Sequence, residues 1–253
     1  MARLSGSTAI VTGASEGIAE GIARTLALEG ASVALVSRTL SRVQVIAADI
    51  EAAGASALAV QADVTRAQDV REMVKTVLDR WGAIDILVNG VGGFRGHGSI
   101  LETSESEWDE VITLNMKTAF LCAQAVAGSM MEKHHGRIIN IGSQAATAPS
   151  PGSNSFLPYA AAKAGLIGFT KHLAKQLGPY GVTVNAVSPS TTLTPRARRN
   201  RDAASIARMK SENPMKTLIE VEDTAQAVLF LASNEARYIT GVNLNVNAGT
   251  LIV

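Results

Sequence analysis

A single cysteine, Cys122, stands in the whole chain. It can form no intramolecular disulfide and supplies no thiolate metal cluster, so a reducing, cytoplasmic setting is expected. Charge is scarce and balanced: 18% of residues are charged, and 23 Lys and Arg against 22 Asp and Glu leave a net +1. That balance excludes a general attraction to nucleic acid or to an anionic membrane. The first six residues lack the apolar segment of a secretion signal, and apolar runs are broken by Gly, polar or charged residues before they reach membrane-spanning length. Neither a nucleic-acid nor a membrane partner is expected, and no metal-ligand set is read. Aromatics are only 4% of the residues.

What is abundant is small and apolar. With 47% hydrophobic residues and 22 Gly in 253 positions, the chain can bury a large core, which excludes disorder and small stapled scaffolds. Thr8–Val11, Ser32–Val36, Ala57–Ala59, Ile84–Val88, Arg137–Ile141, Val182–Val187 and Val242–Val246 read as strands, most of them continuous apolar runs of the kind covered on both faces. Between them lie helical periods such as Gly17–Glu29 (Ile18, Ile22, Leu26) and Asp69–Trp81 (Val70, Met73, Val74, Val77). Ser104 with Glu107 three residues on reads as a capping box. The alternation implies right-handed βαβ crossovers and a doubly wound α/β sheet in one domain, residues 1–253. The long irregular segments Gly90–Gly98, Gln144–Pro158 and Ser188 to about Pro214 follow strands, so they should wall one crevice.

After the first strand comes Thr12-Gly13-Ala14-Ser15-Glu16-Gly17-Ile18-Ala19. Glycines at a strand-to-helix turn let backbone N–H groups approach a pyrophosphate, or simply let the chain turn. The second strand ends in Ser37-Arg38. A hydroxyl and a guanidinium suit a ribose 2′-phosphate where an acid would suit two free hydroxyls, though an arginine there can also be a plain surface residue. Glu16 opposes a nearby phosphate.

Tyr159-Ala160-Ala161-Ala162-Lys163 sets a phenol and an ammonium one helical turn apart. Taken with Ser143 past a strand, Asn115, Asn89-Gly90-Val91-Gly92, Asp63-Val64 and Ser188-Pro189, the chain resembles the short-chain dehydrogenase/reductase family along essentially its whole length. The resemblance implies a Rossmann-like, doubly wound parallel sheet with helices on both faces and a substrate lid over about residues 190–214. It implies Tyr159 as acid/base, Ser143 as the group polarising the substrate oxygen, Lys163 as a ribose ligand and Asn115 as support for a proton relay. It also implies cofactor contacts at Gly13, Ser15, Gly17, Ile18, Ser37, Arg38, Asp63, Val64, Asn89, Gly90, Tyr159, Lys163, Pro189, Thr192 and Thr194. A cationic Lys163 and an oxidised nicotinamide would favour the phenolate of Tyr159, whose free pKa is near 10.

Four positions depart from the family pattern: Ala19 for a glycine, Gly90 for an asparagine, Ser190 for a glycine, and a long Ser143-to-Tyr159 interval holding Pro149 to Asn154. None removes a catalytic group. The expected activity is NADP(H)-preferring, with NAD(H) also usable, interconverting a ketone or 3-oxoacyl group and a secondary alcohol. A catalytically silent ligand-binding or regulatory member is the alternative. Arg196, Arg198, Arg199, Arg201, Arg208 and Lys210 crowd the lid against Asp202, and with Arg95 they would suit an anionic or thioester-linked substrate or would form a solvated helix face. His134 stands where acyl-carrier-protein reductases usually carry a basic residue. Ala164, Gly165 and Gly168 would let a partner helix approach, and the C-terminal strand another copy, so a homotetramer or homodimer is expected. His97 reads as a surface residue, and Cys122 as a packing residue.

Overall fold

Apolar runs without alternation must be covered twice, and the chain covers them. The computed structural model describes residues 2–93, 99–149 and 156–252. Strands β1 (Thr8–Thr12), β2 (Ser32–Ser37), β3 (Ser56–Gln61), β4 (Ile86–Asn89), β5 (Gly136–Ile141), β6 (Val182–Pro189) and β7 (Asn243–Val246) form one sheet in the order β3-β2-β1-β4-β5-β6-β7. Every neighbouring pair is parallel. The helices are α1 (Gly17–Leu28), α2 (Leu40–Ala52), α3 (Ala67–Trp81), α4 (Glu105–Ile112), α5 (Thr118–Glu132), α6 (Leu157–Leu177), α7 (Pro195–Arg199), α8 (Ala203–Glu212) and α9 (Val221–Ala232).

Side chains alternate across each strand, so β1 sends Ala9 and Val11 to one core and Ile10 to the other. The first core lies beneath α1, α2 and α9, the second beneath α3, α5 and α6. Val70, Met73, Val74 and Val77 of α3 are buried, as their spacing predicts, and Gly82 at φ 75° ends the helix. The Ser104–Glu107 capping box forms: the Glu107 amide donates to Ser104 Oγ at 3.2 Å.

Two features escape the periodicity. Residues Thr113–Lys117 widen into a π turn between α4 and α5. The continuous helical stretch Glu105–Glu132 is also apolar and long enough, by length and composition, to cross a membrane. The stretch carries Asn115, Lys117, Gln124 and Gly128, the kind of interruption read from the sequence, and within the fold it packs on α3, α6 and the sheet as a core helix does.

The strand order reverses between β1 and β4, and there the carboxyl ends of the strands open a crevice. The lid rises from the end of β6. Its neck is closed where the Leu193 amide donates to Ile219 O at 2.8 Å, and its base is tied to the C-terminal segment by Thr250 Oγ1 donating to Asn213 Oδ1 at 2.9 Å.

Candidate active site

The turn after β1 is shaped by its glycines. Gly13 and Gly17 adopt φ of +73° and +68°, which glycine alone accepts without strain. A β-carbon at Gly13 would stand 3.1 Å from Gly90 O and from Val91 N. Glu16, at the N-cap of α1, makes no side-chain cap. Among the described residues no side chain is seen to cap the first N–H groups of α1, and the residues that carry them line the crevice, where an anion is best held.

This turn forms one wall of a cleft of about 960 Å³. Of the residues singled out from the sequence, Gly13, Ser15, Gly17, Ile18, Ser37, Arg38, Asp63, Val64, Gly90, Ser143, Tyr159, Lys163, Pro189, Thr192 and Thr194 all line it. At the far end Arg38 is exposed and makes no ion pair among the described residues. Asp63 is held in a short turn: Thr65 donates to its Oδ1 from the hydroxyl at 2.7 Å and from the amide at 3.1 Å. Burial pushes the Asp63 carboxyl up, but those hydrogen bonds and the charges of Arg38 and Arg66 outweigh it and hold the group below its usual range.

At the other end the chemistry-bearing side chains converge. Ser143 leaves β5 in an extended conformation, and Tyr159 stands on the first turn of α6. Their side chains are hydrogen-bonded to one another. Lys163, one turn on, is buried; its Nζ donates to Ile141 O at 2.7 Å and lies 5.7 Å from the centre of the Tyr159 ring. Burial raises the Tyr159 phenol above its ordinary value, with the Ser143 hydrogen bond pulling the other way. Burial also pulls the Lys163 ammonium down to about 8. Burial thus outweighs any lowering of the phenol by Lys163, because desolvation favours the neutral form of both groups.

Two of the singled-out residues stand behind the wall rather than on it. Asn89 is buried in the sheet and donates from Nδ2 to Asn140 Oδ1 at 2.8 Å. Asn115 sits in the π turn and clamps Gly93: its Oδ1 accepts from the Gly93 amide at 2.9 Å while Nδ2 donates to Gly93 O at 2.7 Å. A β-carbon at Gly92 would come 2.8 Å from Asn115 Oδ1 and 3.0 Å from Lys163 Nζ, so Gly92 is what lets these two approach the cleft together. A π turn often marks a functional position, but no residue type announces one in the sequence.

The cleft also contains residues the sequence reading left without a coenzyme role. Arg42 and Thr39 join Arg38, and Arg196 and Arg199 of the lid reach the opposite wall. Arg198 does not line the cleft; it forms two hydrogen bonds with Glu220, at 2.8 and 2.7 Å. Gly165 serves packing within the chain, since a β-carbon there would stand 2.9 Å from Met116 Sδ, whereas Gly168 faces open space. Cys122 is fully buried and its thiol is pushed up to about 12. Phe94, Arg95, His97 and the segment from Ser150 through Asn154 lie outside the described residues.

The cleft fits a dinucleotide on two observations of its own. A β-carbon at Gly13 would press on the Gly90–Val91 backbone, so the glycine keeps the cleft-lining turn close to β4, and Ser190 Oγ, on the wall beside Pro189, is buried with no partner in the described structure. A buried orphan hydroxyl costs about 1–3 kcal/mol and is relieved by a ligand that bonds it.

Residues 13–250 match a family model described as enoyl-(acyl carrier protein) reductase. The chain is 38% identical over 248 residues to the 3-oxoacyl-[acyl-carrier-protein] reductase of Escherichia coli strain K12, covering 98% of each. It is 39% identical over 254 residues to the enzyme of that name from Synechocystis, covering all of both. Among solved structures it superposes on a dehydrogenase/reductase from Sinorhizobium meliloti with a TM-score of 0.89 at 35% identity, covering 98% of this chain and 96% of that one.

Proposed function

The chain belongs to the short-chain dehydrogenase/reductase family and is an NAD(P)-dependent oxidoreductase; from that premise we propose that it reduces a ketone, such as a 3-oxoacyl thioester, to a secondary alcohol with Tyr159 as the acid. The observation that carries this reading is the convergence of Ser143, Tyr159 and Lys163 on one end of a cleft whose other end is a glycine turn at a helix N-terminus. The coenzyme is NADP(H) in preference to NAD(H), held by the turn at Gly13 to Ile18, by Arg38 and Ser37 at the ribose, and by Lys163 and the strand-end residues Pro189 and Thr192. When bound, its nicotinamide supplies the hydride in reduction and accepts it in oxidation.

The protein groups handle the oxygen. As the carbonyl carbon gains hydride, its oxygen gathers negative charge, and Ser143 Oγ donates a hydrogen bond to that oxygen. Tyr159 Oη gives it the proton, and the raised phenol keeps that proton available at neutral pH. Lys163 stands 5.7 Å from the phenol ring and steadies the phenolate left behind. Asn115 acts from the second layer by fixing the loop at Gly93. Arg196 and Arg199, which make no ion pair among the described residues, draw an anionic or thioester-linked substrate toward the cleft.

Assembly into a homotetramer or homodimer is supported by exposed apolar residues on the two expected faces, Trp108 and Phe120 on α4 and α5, and Tyr238 and Val242 beside β7. The cytoplasm is the proposed setting. The test is NADPH oxidation by purified protein against ketones, 3-oxoacyl thioesters and 2-enoyl thioesters. Turnover of a carbonyl substrate, lost about 10²- to 10⁴-fold in Tyr159→Phe with coenzyme binding retained, supports the reading. Coenzyme binding with no turnover of any substrate, and no loss on Tyr159→Phe, would establish the silent-member alternative.

A further inference from the structure

Glu16 is out of character in a phosphate-binding turn. It is the N-cap residue of α1, its side chain caps nothing, and it lines the cleft alongside the very N–H groups that would hold a pyrophosphate. A carboxylate in that position repels a nearby phosphate. Its partner is Arg42, three residues into α2, whose Nη1 lies 3.6 Å from Glu16 Oε2. Arg42 also lines the cleft, four residues beyond Arg38 in the chain. Both side chains of the pair are about half exposed, with relative exposures of 59% and 50%, so water and ligand reach them. Arg38 makes no ion pair among the described residues, and its charge acts on Asp63 across the rim.

We propose that the Glu16–Arg42 ion pair sets how strongly this protein prefers NADP(H) over NAD(H). The inference rests on the coenzyme reading above. Arg42 does two things: it neutralises Glu16, and it places a second guanidinium beside Arg38 at the rim where a 2′-phosphate is held. Glu16 adds its own negative field at that rim, so it limits the preference that Arg38 and Arg42 create. The tether ties two secondary elements together across the ribose end of the cleft, so changing one partner alters the field at the phosphate and hardly touches the nicotinamide end. A coenzyme without the phosphate is almost indifferent to the pair.

The experiment is direct fluorescence titration of NADPH and NADH into wild-type protein, Arg42→Ala, Glu16→Gln and the double variant, at low and at 0.5 M salt. Both side chains are half exposed and neither supports the core, so the variants should fold, and Arg42→Lys, which keeps the charge, should recover most of the wild-type ratio. Arg42→Ala should weaken NADPH about tenfold and NADH less than twofold, and Glu16→Gln should tighten NADPH about three- to fivefold. Arg42→Ala should cost clearly less in the Glu16→Gln background, since half its work is then already done. The differences should shrink at high salt. Equal effects of Arg42→Ala on both coenzymes, or equal costs in both backgrounds, would overturn the role of the pair while leaving the coenzyme site intact. Failure of the wild-type protein to bind either coenzyme would instead overturn the reading on which the proposal rests.

Discussion

A β-carbon at Gly90 would stand 2.9 Å from the β-carbon of Ala19, and 2.5 Å from Thr12 O. Read singly in the sequence, Gly90 and Ala19 are two departures from the family pattern; in space they are neighbours, and the methyl at position 19 fills room that a side chain at position 90 would need. The exchange keeps α1 close to β4 beneath the phosphate turn. Gly90→Ala should therefore cost about 1–3 kcal/mol of stability through overpacking. Adding Ala19→Gly should restore part of that, because the contact with Thr12 O remains. Denaturant unfolding of the two single variants and the double variant checks this, and strictly additive costs would sink the pairing.

Lys163 is buried, and its pKa falls from 10.5 to about 8. The unfolded chain therefore binds more protons than the folded one between pH 8 and about 10.5. The cost of burying the charge is fully present below pH 8 and is relieved as pH rises through that window; it amounts to at most about 3 kcal/mol. Lys163→Met should abolish turnover yet raise the thermal midpoint of the free protein at pH 7, by about 2–4 °C for each kcal/mol recovered. The gain should vanish near pH 10.5, which scanning calorimetry across pH can follow.

The raised Tyr159 phenol gives the two reaction directions opposite pH responses. Ketone reduction uses the protonated phenol, so its rate should hold through neutral pH and fall only on the alkaline side, first as Lys163 loses its charge near pH 8. Alcohol oxidation needs the phenolate and should climb with pH over the same range. Parallel pH profiles in the two directions would contradict Tyr159 as the proton carrier.

Ser190 Oγ is buried and has no hydrogen-bond partner among the described residues. Ser190→Ala should stabilise the free protein by about 1 kcal/mol and weaken NADP⁺ binding two- to tenfold, because the hydroxyl is satisfied only when a ligand is present. Thermal shifts with and without NADP⁺ separate the two effects. A variant less stable when free would show that the hydroxyl already has a partner.

Arg38→Asp should move the preference toward NADH by about 10- to 100-fold in kcat/KM, since it replaces a phosphate partner with an acceptor for ribose hydroxyls. An unchanged NADPH:NADH ratio in steady-state assays would assign the phosphate to another cation, Arg42 being the nearest in sequence that lines the cleft.

Local pattern along the chain is enough to set the sheet and most of the cleft. Seven apolar runs became seven parallel strands, with ends that moved by two residues at most. Ser143, Tyr159 and Lys163 are legible through the resemblance, and one helical turn and one strand end place them. The remaining features depend on elements far apart in the chain. Folding put Asn89 into the sheet and Asn115 onto Gly93 through a π turn, and it tied Glu16 to Arg42. It also joined Ala19 to Gly90, and it raised the phenol where a nearby cation alone predicts lowering. Periodicity and spacing act over a few residues, whereas desolvation, close approach and the pairing of charges are set by which surfaces the fold presses together.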